Sequence, residues 1–194
     1  MQAFLHKNSK NNVYKGSFMT IREQEPKKKR VLGVVAEFNP FHNGHAWLLE
    51  QARQAGAWGV VAVMSGNYVQ RGSGAVTEKR VRCHAALLGG ADLILELPLP
   101  YATATARRFA LGAVGLLAAT GCVDELCFGS ECGDGARLAE AAAVMEDPAL
   151  QPVLRARLEE GITFAKAREL ATAAVFGADF AQLLQGPNNL LGIE

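Results

Sequence analysis

The sequence predicts an α/β fold, because apolar runs of strand length alternate along the chain with helical patterns. The runs are hydrophobic almost throughout, which is typical of parallel strands covered on both faces. Alternation of this kind indicates βαβ units with right-handed crossovers. Of the 194 residues, 49% are hydrophobic and 20% are charged, enough to bury the core of one domain. We therefore predict a Rossmann-like three-layer sandwich with a parallel sheet, followed by a helical segment.

The predicted elements begin at Val31. The run from Val31 to Phe38 is continuously apolar, as expected of a buried strand, and Pro98 ends a later run. Alanines, glycines and leucines between residues 105 and 119 favour a helix that packs closely on the sheet. Strands are predicted at residues 31–38, 59–64, 92–97 and 125–128, and helices between them at 44–54, 78–88 and 105–119.

After Gly129 the pattern becomes helical. Pro152 fits the first turn of a helix, and the segment Gly186-Pro187-Asn188-Asn189 is typical of a turn. Helices are predicted at residues 136–145, 148–160 and 165–184. We expect residues 31–194 to form one domain, truncated at its C-terminus.

Residues 1–30 are predicted to be a disordered basic leader. They contain eight Lys and Arg residues against two Glu, a net charge of +6, and show no helical or strand period. The remaining chain carries 12 basic and 17 acidic residues, a net charge of −5. Neither a secretory signal nor an apolar stretch of membrane-spanning length is present, so we expect a cytoplasmic protein.

The four cysteines are Cys83, Cys122, Cys127 and Cys132, and they form no C-x-x-C pair. No histidine lies near the last three, and their spacing fits no common ligand pattern. We interpret them as buried or incidental thiols rather than as a metal site.

Two histidines follow the first predicted strand in the segment His42-Asn43-Gly44-His45, which opens the first helix. Ligands of parallel α/β sheets bind beyond the carboxyl ends of the strands. A helix N-terminus favours an anion, Gly44 would let phosphates or adenine approach the backbone, and imidazoles donate hydrogen bonds to phosphate oxygens. We therefore predict a triphosphate site. The alternative is a pair of capping or core histidines.

Other polar residues also follow predicted strands. Asn67 and Arg71 follow the second strand and would lie at the same edge of the sheet, while Lys79 begins the next helix. We predict that these three residues contact phosphate or RNA, and Arg80 and Arg82 could do the same. The alternative for Asn67 and Arg71 is a plain polar loop, and for Lys79, Arg80 and Arg82 it is a solvated helix face.

Five ordered blocks of the sequence stand out, at residues 37–45, 64–72, 92–98, 128–131 and 187–194. Together they resemble the tRNA(Met) cytidine acetate ligase family, within the H-x-G-H nucleotidyltransferase superfamily. The resemblance extends from about Val31 to the last residue. Family members continue beyond these blocks, so the chain is expected to be an N-terminal fragment.

The resemblance implies an ATP-dependent ligase that forms acetyl-adenylate and then acetylates N4 of the wobble cytidine of elongator tRNA(Met). The substrates of this ligase would be ATP, acetate and the tRNA, with Mg²⁺ bridging phosphate oxygens. The resemblance implies no metal ligands from the protein. His42 and His45 would be catalytic. The implied ATP-binding residues are Val35, Ala36, Glu37, Phe38, Asn39, Pro40, Phe41, His42, Asn43, Gly44, His45, Ala46, Trp47, Leu48, Gly129 and either Asn188 or Asn189.

Two other functions fit the first motif. The chain could transfer AMP or CMP to a small metabolite, or it could be a nucleotide-binding or RNA-binding fragment without catalysis. The family pattern has an acidic residue where this chain has Arg107, which puts the role of that position in doubt. The sequence does not indicate an oligomeric state.

Overall fold

The computed structural model describes the backbone of residues 2–5 and the whole of residues 29–194. Within these residues the sheet has five strands in the order β1-β5-β2-β3-β4. Strands β2 to β5 are parallel, whereas β1 pairs with β5 in the antiparallel sense. The strands are β1 (Gln2–Leu5), β2 (Arg30–Val35), β3 (Ala57–Ser65), β4 (Leu93–Leu97) and β5 (Glu125–Gly129).

Helices cover both faces of the sheet. The helices are α1 (Asn43–Gln54), α2 (Lys79–Leu88), α3 (Leu99–Ala102), α4 (Ala106–Ala119), α5 (Gly135–Met145), α6 (Leu150–Glu159), α7 (Phe164–Phe176), α8 (Ala178–Leu183) and α9 (Pro187–Ile193). On one face, Leu49 of α1 and Ala86 of α2 belong to the same buried cluster as Val60 of β3. On the other face, Phe109 and Leu117 of α4 belong to a second buried cluster together with residues of the strands. The predicted three-layer fold is confirmed, with β1 as an added antiparallel edge.

Strand β3 shows why the sheet is so apolar. Every residue from Gly59 to Ser65 is buried, since alternate side chains enter the two helical layers. Gly33 of β2 lets α4 approach closely, because a Cβ at this position would lie 2.9 Å from a Leu117 methyl carbon. A larger residue there would push α4 away from the sheet.

The order of the strands places a topological switch point at β2. From β2 the chain crosses to β3 and then β4 on one side, and β5 later pairs with the other side of β2. The loops that leave β2 and β5 therefore diverge. Such a topological switch point is where open α/β sheets bind ligands.

Two predictions for the C-terminal half were wrong. The single helix expected at residues 165–184 is divided into α7 and α8 by Gly177, which has φ of 99°. The expected turn at residues 186–189 is the start of α9, with Pro187 in its first turn, where the missing N–H is not needed.

The predicted leader lies mostly outside the described residues. Within its range, Gln2–Leu5 form β1, and Arg30 begins β2 and pairs with Glu125 at 3.0 Å. In residues 2–5 and 29–194, no helix is both long and apolar enough to cross a membrane.

Candidate functional site

The two histidines of the first motif cap helix α1. His42 is the N-cap residue, and its Nδ1 accepts a hydrogen bond from the N–H of Gly44 at 3.1 Å. The Nδ1 of His45 accepts from the N–H of His42 at 3.3 Å, which completes a reciprocal capping box. The capping alternative is therefore correct, although capping occupies only one nitrogen of each ring.

The same hydrogen bonds determine which ring nitrogens can donate. Because each Nδ1 accepts a hydrogen bond, each neutral imidazole carries its proton on Nε2. The rings of His42 and His45 are stacked, with centroids 3.7 Å apart and planes inclined by 20°. The pair thus leaves the Nε2–H donors of two stacked rings beside the N-terminus of α1, an arrangement suited to anionic oxygens.

His45 is held neutral by its surroundings. Its ring meets the buried ring of Phe38 edge-on at 5.0 Å and lies 5.7 Å from that of Phe41. Burial and, to a smaller extent, the charge of the neighbouring His42 together lower the pKa of His45 from 6.5 to about 4. At neutral pH, His45 is a neutral hydrogen-bond donor rather than a cation.

Gly44 has a close neighbour in the capping arrangement itself. A Cβ at this position would lie 3.0 Å from Cε1 and 3.1 Å from Nδ1 of His42. The glycine therefore lets the His42 ring fold over the helix end, a reason that the sequence did not reveal. The predicted close approach of a ligand to its backbone stays a prediction.

Of the three residues predicted to contact phosphate or RNA, two have protein partners. Asn67 accepts a hydrogen bond from the N–H of Lys79 at 3.2 Å and so supports the start of α2. The ammonium of Lys79 pairs with Glu96 at 2.7 Å. Arg71 is exposed, has φ of 68°, and makes no ion pair within residues 29–194. Arg71 is therefore the strongest remaining candidate of the three.

The loops after β2 and β3 are bound to each other. The Glu37 carboxylate accepts from the N–H of Gln70 at 2.6 Å, and the Asn39 amide oxygen accepts from the N–H of Val76 at 2.7 Å. The side chains of Glu37 and Asn39, both in the predicted ATP-binding segment, thus support the neighbouring loop.

Arg82 lies beneath these loops, so the expectation that it contacts RNA or lies on a solvated helix face is wrong. It is 1% exposed and donates to backbone carbonyls, so it is neither a solvated residue nor a free contact for RNA. The available signal was its spacing, because Arg82 lies four residues before the buried Ala86 on the same face of α2.

The end of β5 is joined to the start of α9, far along the chain. The Glu131 carboxylate accepts from the N–H groups of Asn188 at 3.1 Å and Asn189 at 2.7 Å. In return, the Asn189 amide oxygen accepts from the N–H groups of Glu131 at 2.9 Å and Cys132 at 3.1 Å. The fold therefore brings the asparagine pair next to Gly129, the last residue of β5.

The two asparagines differ in their surroundings. Asn189 is 4% exposed, whereas Asn188 is exposed and donates its amide N–H to Glu131 at 2.9 Å. Burial would raise the pKa of Glu131, but the hydrogen bonds from Asn189 and Asn188 outweigh it and hold this pKa below its usual value. Glu131 thus stays ionised and caps α9.

Two surface depressions lie beside α2 rather than at the histidines. One, of about 360 Å³, has an apolar floor that includes Met64 and Ile94, and the other, of about 480 Å³, is lined by Asn67 and Thr77. Within residues 29–194 no three His, Cys, Asp or Glu side chains converge as a metal site. Cys127 is buried, which raises the pKa of its thiol to about 11.

Comparison with known proteins identifies the family. The family model described as HIGH Nucleotidyl Transferase matches residues 29–194. The chain is 47% identical over 167 residues to a protein from Caldanaerobacter subterraneus, and 46% identical over 170 residues to one from Syntrophomonas wolfei, both named tRNA(Met) cytidine acetate ligase. Each alignment covers 84% of this chain, which spans about two fifths of the length of these relatives (42% and 41%).

A solved structure with the same fold is that of Thermotoga maritima TmcAL bound with alpha-thio ATP. It is 41% identical to this chain, with a TM-score of 0.78, and the match covers 84% of this chain and 42% of the other. These matches confirm the resemblance drawn from the five sequence blocks. The chain belongs to the HIGH nucleotidyl transferase family.

Proposed function

We propose that this chain forms the ATP-binding catalytic part of a tRNA(Met) cytidine acetate ligase. In this proposal it activates acetate with ATP and serves the acetylation of N4 of the wobble cytidine in elongator tRNA(Met), in the cytoplasm. The observation that carries the proposal is the stacked pair His42 and His45, whose Nε2–H groups remain as donors at the N-terminus of α1. The names of the similar proteins support the choice of substrates.

The ATP site would extend from α1 to the end of β5. The triphosphate would lie against the start of α1, where the helix dipole and the two imidazoles favour an anion. The ribose and adenine would lie towards Gly129. We assign the asparagine contact to Asn188, because Asn189 is buried and its amide oxygen already accepts two hydrogen bonds.

The first chemical step would be an in-line displacement at the α-phosphorus. An acetate oxygen forms the new P–O bond while the bond to diphosphate breaks, and diphosphate leaves with the electron pair. His42 and His45 would donate hydrogen bonds to phosphate oxygens that gain charge in the transition state. Because its pKa is about 4, His45 keeps the same protonation state across the neutral range.

The second step would transfer the acetyl group to RNA. The N4 amine of cytidine attacks the acetyl carbonyl, AMP leaves with the electron pair of the broken C–O bond, and the amine proton passes to solvent. Arg71 is our candidate for an RNA phosphate contact, since Lys79 is already paired with Glu96. The residues from 31 onward carry a net charge of −5, so strong RNA binding needs clustered basic residues from elsewhere in the protein.

Mg²⁺ is expected with ATP, but the described residues provide few side chains that could bind it. Within residues 29–194 no group of three His, Cys, Asp or Glu side chains converges. Glu37, Glu96 and Glu131 already hold protein partners. Mg²⁺ would neutralise part of the triphosphate charge when ATP is bound, and no step of the proposal depends on it.

Acetate-dependent exchange of radiolabelled diphosphate into ATP tests the proposal directly. We expect His42→Ala and His45→Ala each to slow exchange by about 10²-fold to 10³-fold, the usual effect of removing one transition-state donor. His84→Ala is the matched control, because His84 is an exposed histidine on α2 and should leave exchange unchanged. Exchange by both variants at the wild-type rate would refute the role of the pair.

Two further results would favour other functions. ATP binding by calorimetry without acetate-dependent exchange would indicate a binding module. Transfer of AMP to phosphopantetheine or nicotinamide mononucleotide, but not to acetate, would indicate a nucleotidyltransferase acting on a metabolite.

A further inference from the structure

We infer that Arg82 is a positioning residue that holds the loop carrying His42 and His45 in its functional geometry. The inference rests on the proposed function for the role of the histidines, but not for the geometry. Arg82 belongs to α2, is 1% exposed, and makes its hydrogen bonds to backbone carbonyls rather than to either imidazole. It acts through the backbone at the carboxyl end of the sheet.

The guanidinium of Arg82 joins three separate segments. Its Nη1 donates to the carbonyl of Glu37 at 2.6 Å, its Nε to that of Thr77 at 3.2 Å, and its Nη2 to that of Gly66. Glu37 follows β2, Gly66 follows β3, and Thr77 precedes α2. A planar fork with five donors can satisfy three carbonyls at once, whereas an ammonium on a flexible stem cannot reproduce that geometry.

The bond to Glu37 leads directly to the histidines. The next residue, Phe38, is fully buried and has φ of 47°, a conformation that a bulky residue adopts only when its surroundings hold it there. The Phe38 ring then meets the His45 ring edge-on at 5.0 Å. Arg82 thus secures the backbone immediately before the residue on which His45 packs.

The bond to Gly66 connects this support to the loop after β3. That loop is tied back to the first one through Glu37 and Gln70, and through Asn39 and Val76. With Arg82 below and these two hydrogen bonds at the side, the loops after β2 and β3 form one unit. Loosening the guanidinium should therefore disturb His45, although the hydrogen bonds of Arg82 go to other residues.

Arg53 provides a matched control at the opposite end of the sheet. It also donates to backbone carbonyls, those of Trp58 at 3.0 Å and Gly90 at 2.9 Å, and it pairs with Asp92. These contacts lie at the amino ends of β3 and β4. Arg53→Lys removes a comparable set of bonds without touching either loop of the site.

The test compares Arg82→Lys with Arg53→Lys in the 194-residue chain by NMR titration of the histidine rings. We expect Arg82→Lys to raise the pKa of His45 from about 4 towards 6.5, while Arg53→Lys leaves it near 4. In the exchange assay, Arg82→Lys should lower kcat at least tenfold and change the KM for ATP less. Equal titration of His45 in the two variants and the wild type would overturn the inference.

The titration does not require activity, so it decides the role of Arg82 even if the wild-type chain shows no exchange and the proposed function fails. If Arg82→Lys does not fold, Arg82→Gln retains a planar donor and is titrated in the same way. If neither variant folds, native-state hydrogen exchange of the wild type decides. The exchange of the backbone amides should give the same opening free energy at His45, Gln70 and Lys79, because the two loops open as one unit. Different opening free energies at these amides would overturn the inference.

Discussion

Lowering the pH should destabilise this protein through His45. In the unfolded chain His45 has an ordinary pKa of 6.5, but burial and the neighbouring His42 lower it to about 4 in the folded state. As the pH falls below 6.5 the unfolded chain binds a proton that the folded protein does not, so the free energy of unfolding decreases. The contribution is complete above pH 6.5 and is lost progressively between pH 6.5 and about 4.

The size of the effect follows from the two pKa values. A difference between 6.5 and about 4 corresponds to about 3 kcal/mol. His45 is only partly buried, so solvent screening reduces the expected loss to about 2 kcal/mol. This is a substantial fraction of the stability of a domain of this size.

Urea unfolding of the wild type and of His45→Gln over a series of pH values from 7.5 to 4.5 measures this effect. The glutamine can accept the hydrogen bond from the N–H of His42, but it does not titrate. We expect the difference in free energy of unfolding between the two proteins to change by about 2 kcal/mol across the series. The wild type should lose this stability as the pH falls, whereas the variant should not. A difference that stays constant with pH would refute the reasoning.

Two further predictions concern the C-terminal half. Asn189→Ala leaves two backbone N–H groups without their acceptor and should lower the free energy of unfolding by about 2 to 4 kcal/mol. The control Asn188→Ala changes an exposed residue and should lower it by less than about 1 kcal/mol. Equal losses for the two variants in urea unfolding would contradict this prediction. Gly177→Ala should destabilise by about 1 to 3 kcal/mol, because φ of 99° is strained for alanine. A stabilisation on thermal unfolding would instead indicate the continuous helix that the sequence suggests.

Much of the fold was visible in local patterns. The strand ending at Val35 and the helix beginning at Asn43 were predicted to within a few residues, because a covered parallel strand and a capped helix each leave a periodic signal. The division at Gly177 was missed, since its apolar neighbours continue a helical period on both sides. Pro187 starts α9 rather than a turn, and the sequence does not separate the two because proline is favoured in both places.

The candidate site could likewise be predicted only in part from the sequence. Its motif residues are contiguous, so His42, Gly44 and His45 could be recognised along the chain, together with the anion site that a helix N-terminus provides. That both Nδ1 atoms are engaged in capping, and that both Nε2 atoms remain donors, depends on three-dimensional geometry.

Contacts between distant segments required the folded structure. Glu131 and Asn189 are 58 residues apart and hold each other by reciprocal hydrogen bonds, and Arg82 reaches the carbonyl of Glu37, 45 residues before it. Periodicity and capping depend on neighbours within a turn or two, so they can be read from sequence. The burial of an arginine beneath the site, and the low pKa that packing imposes on His45, arise only when separate segments pack together and exclude water.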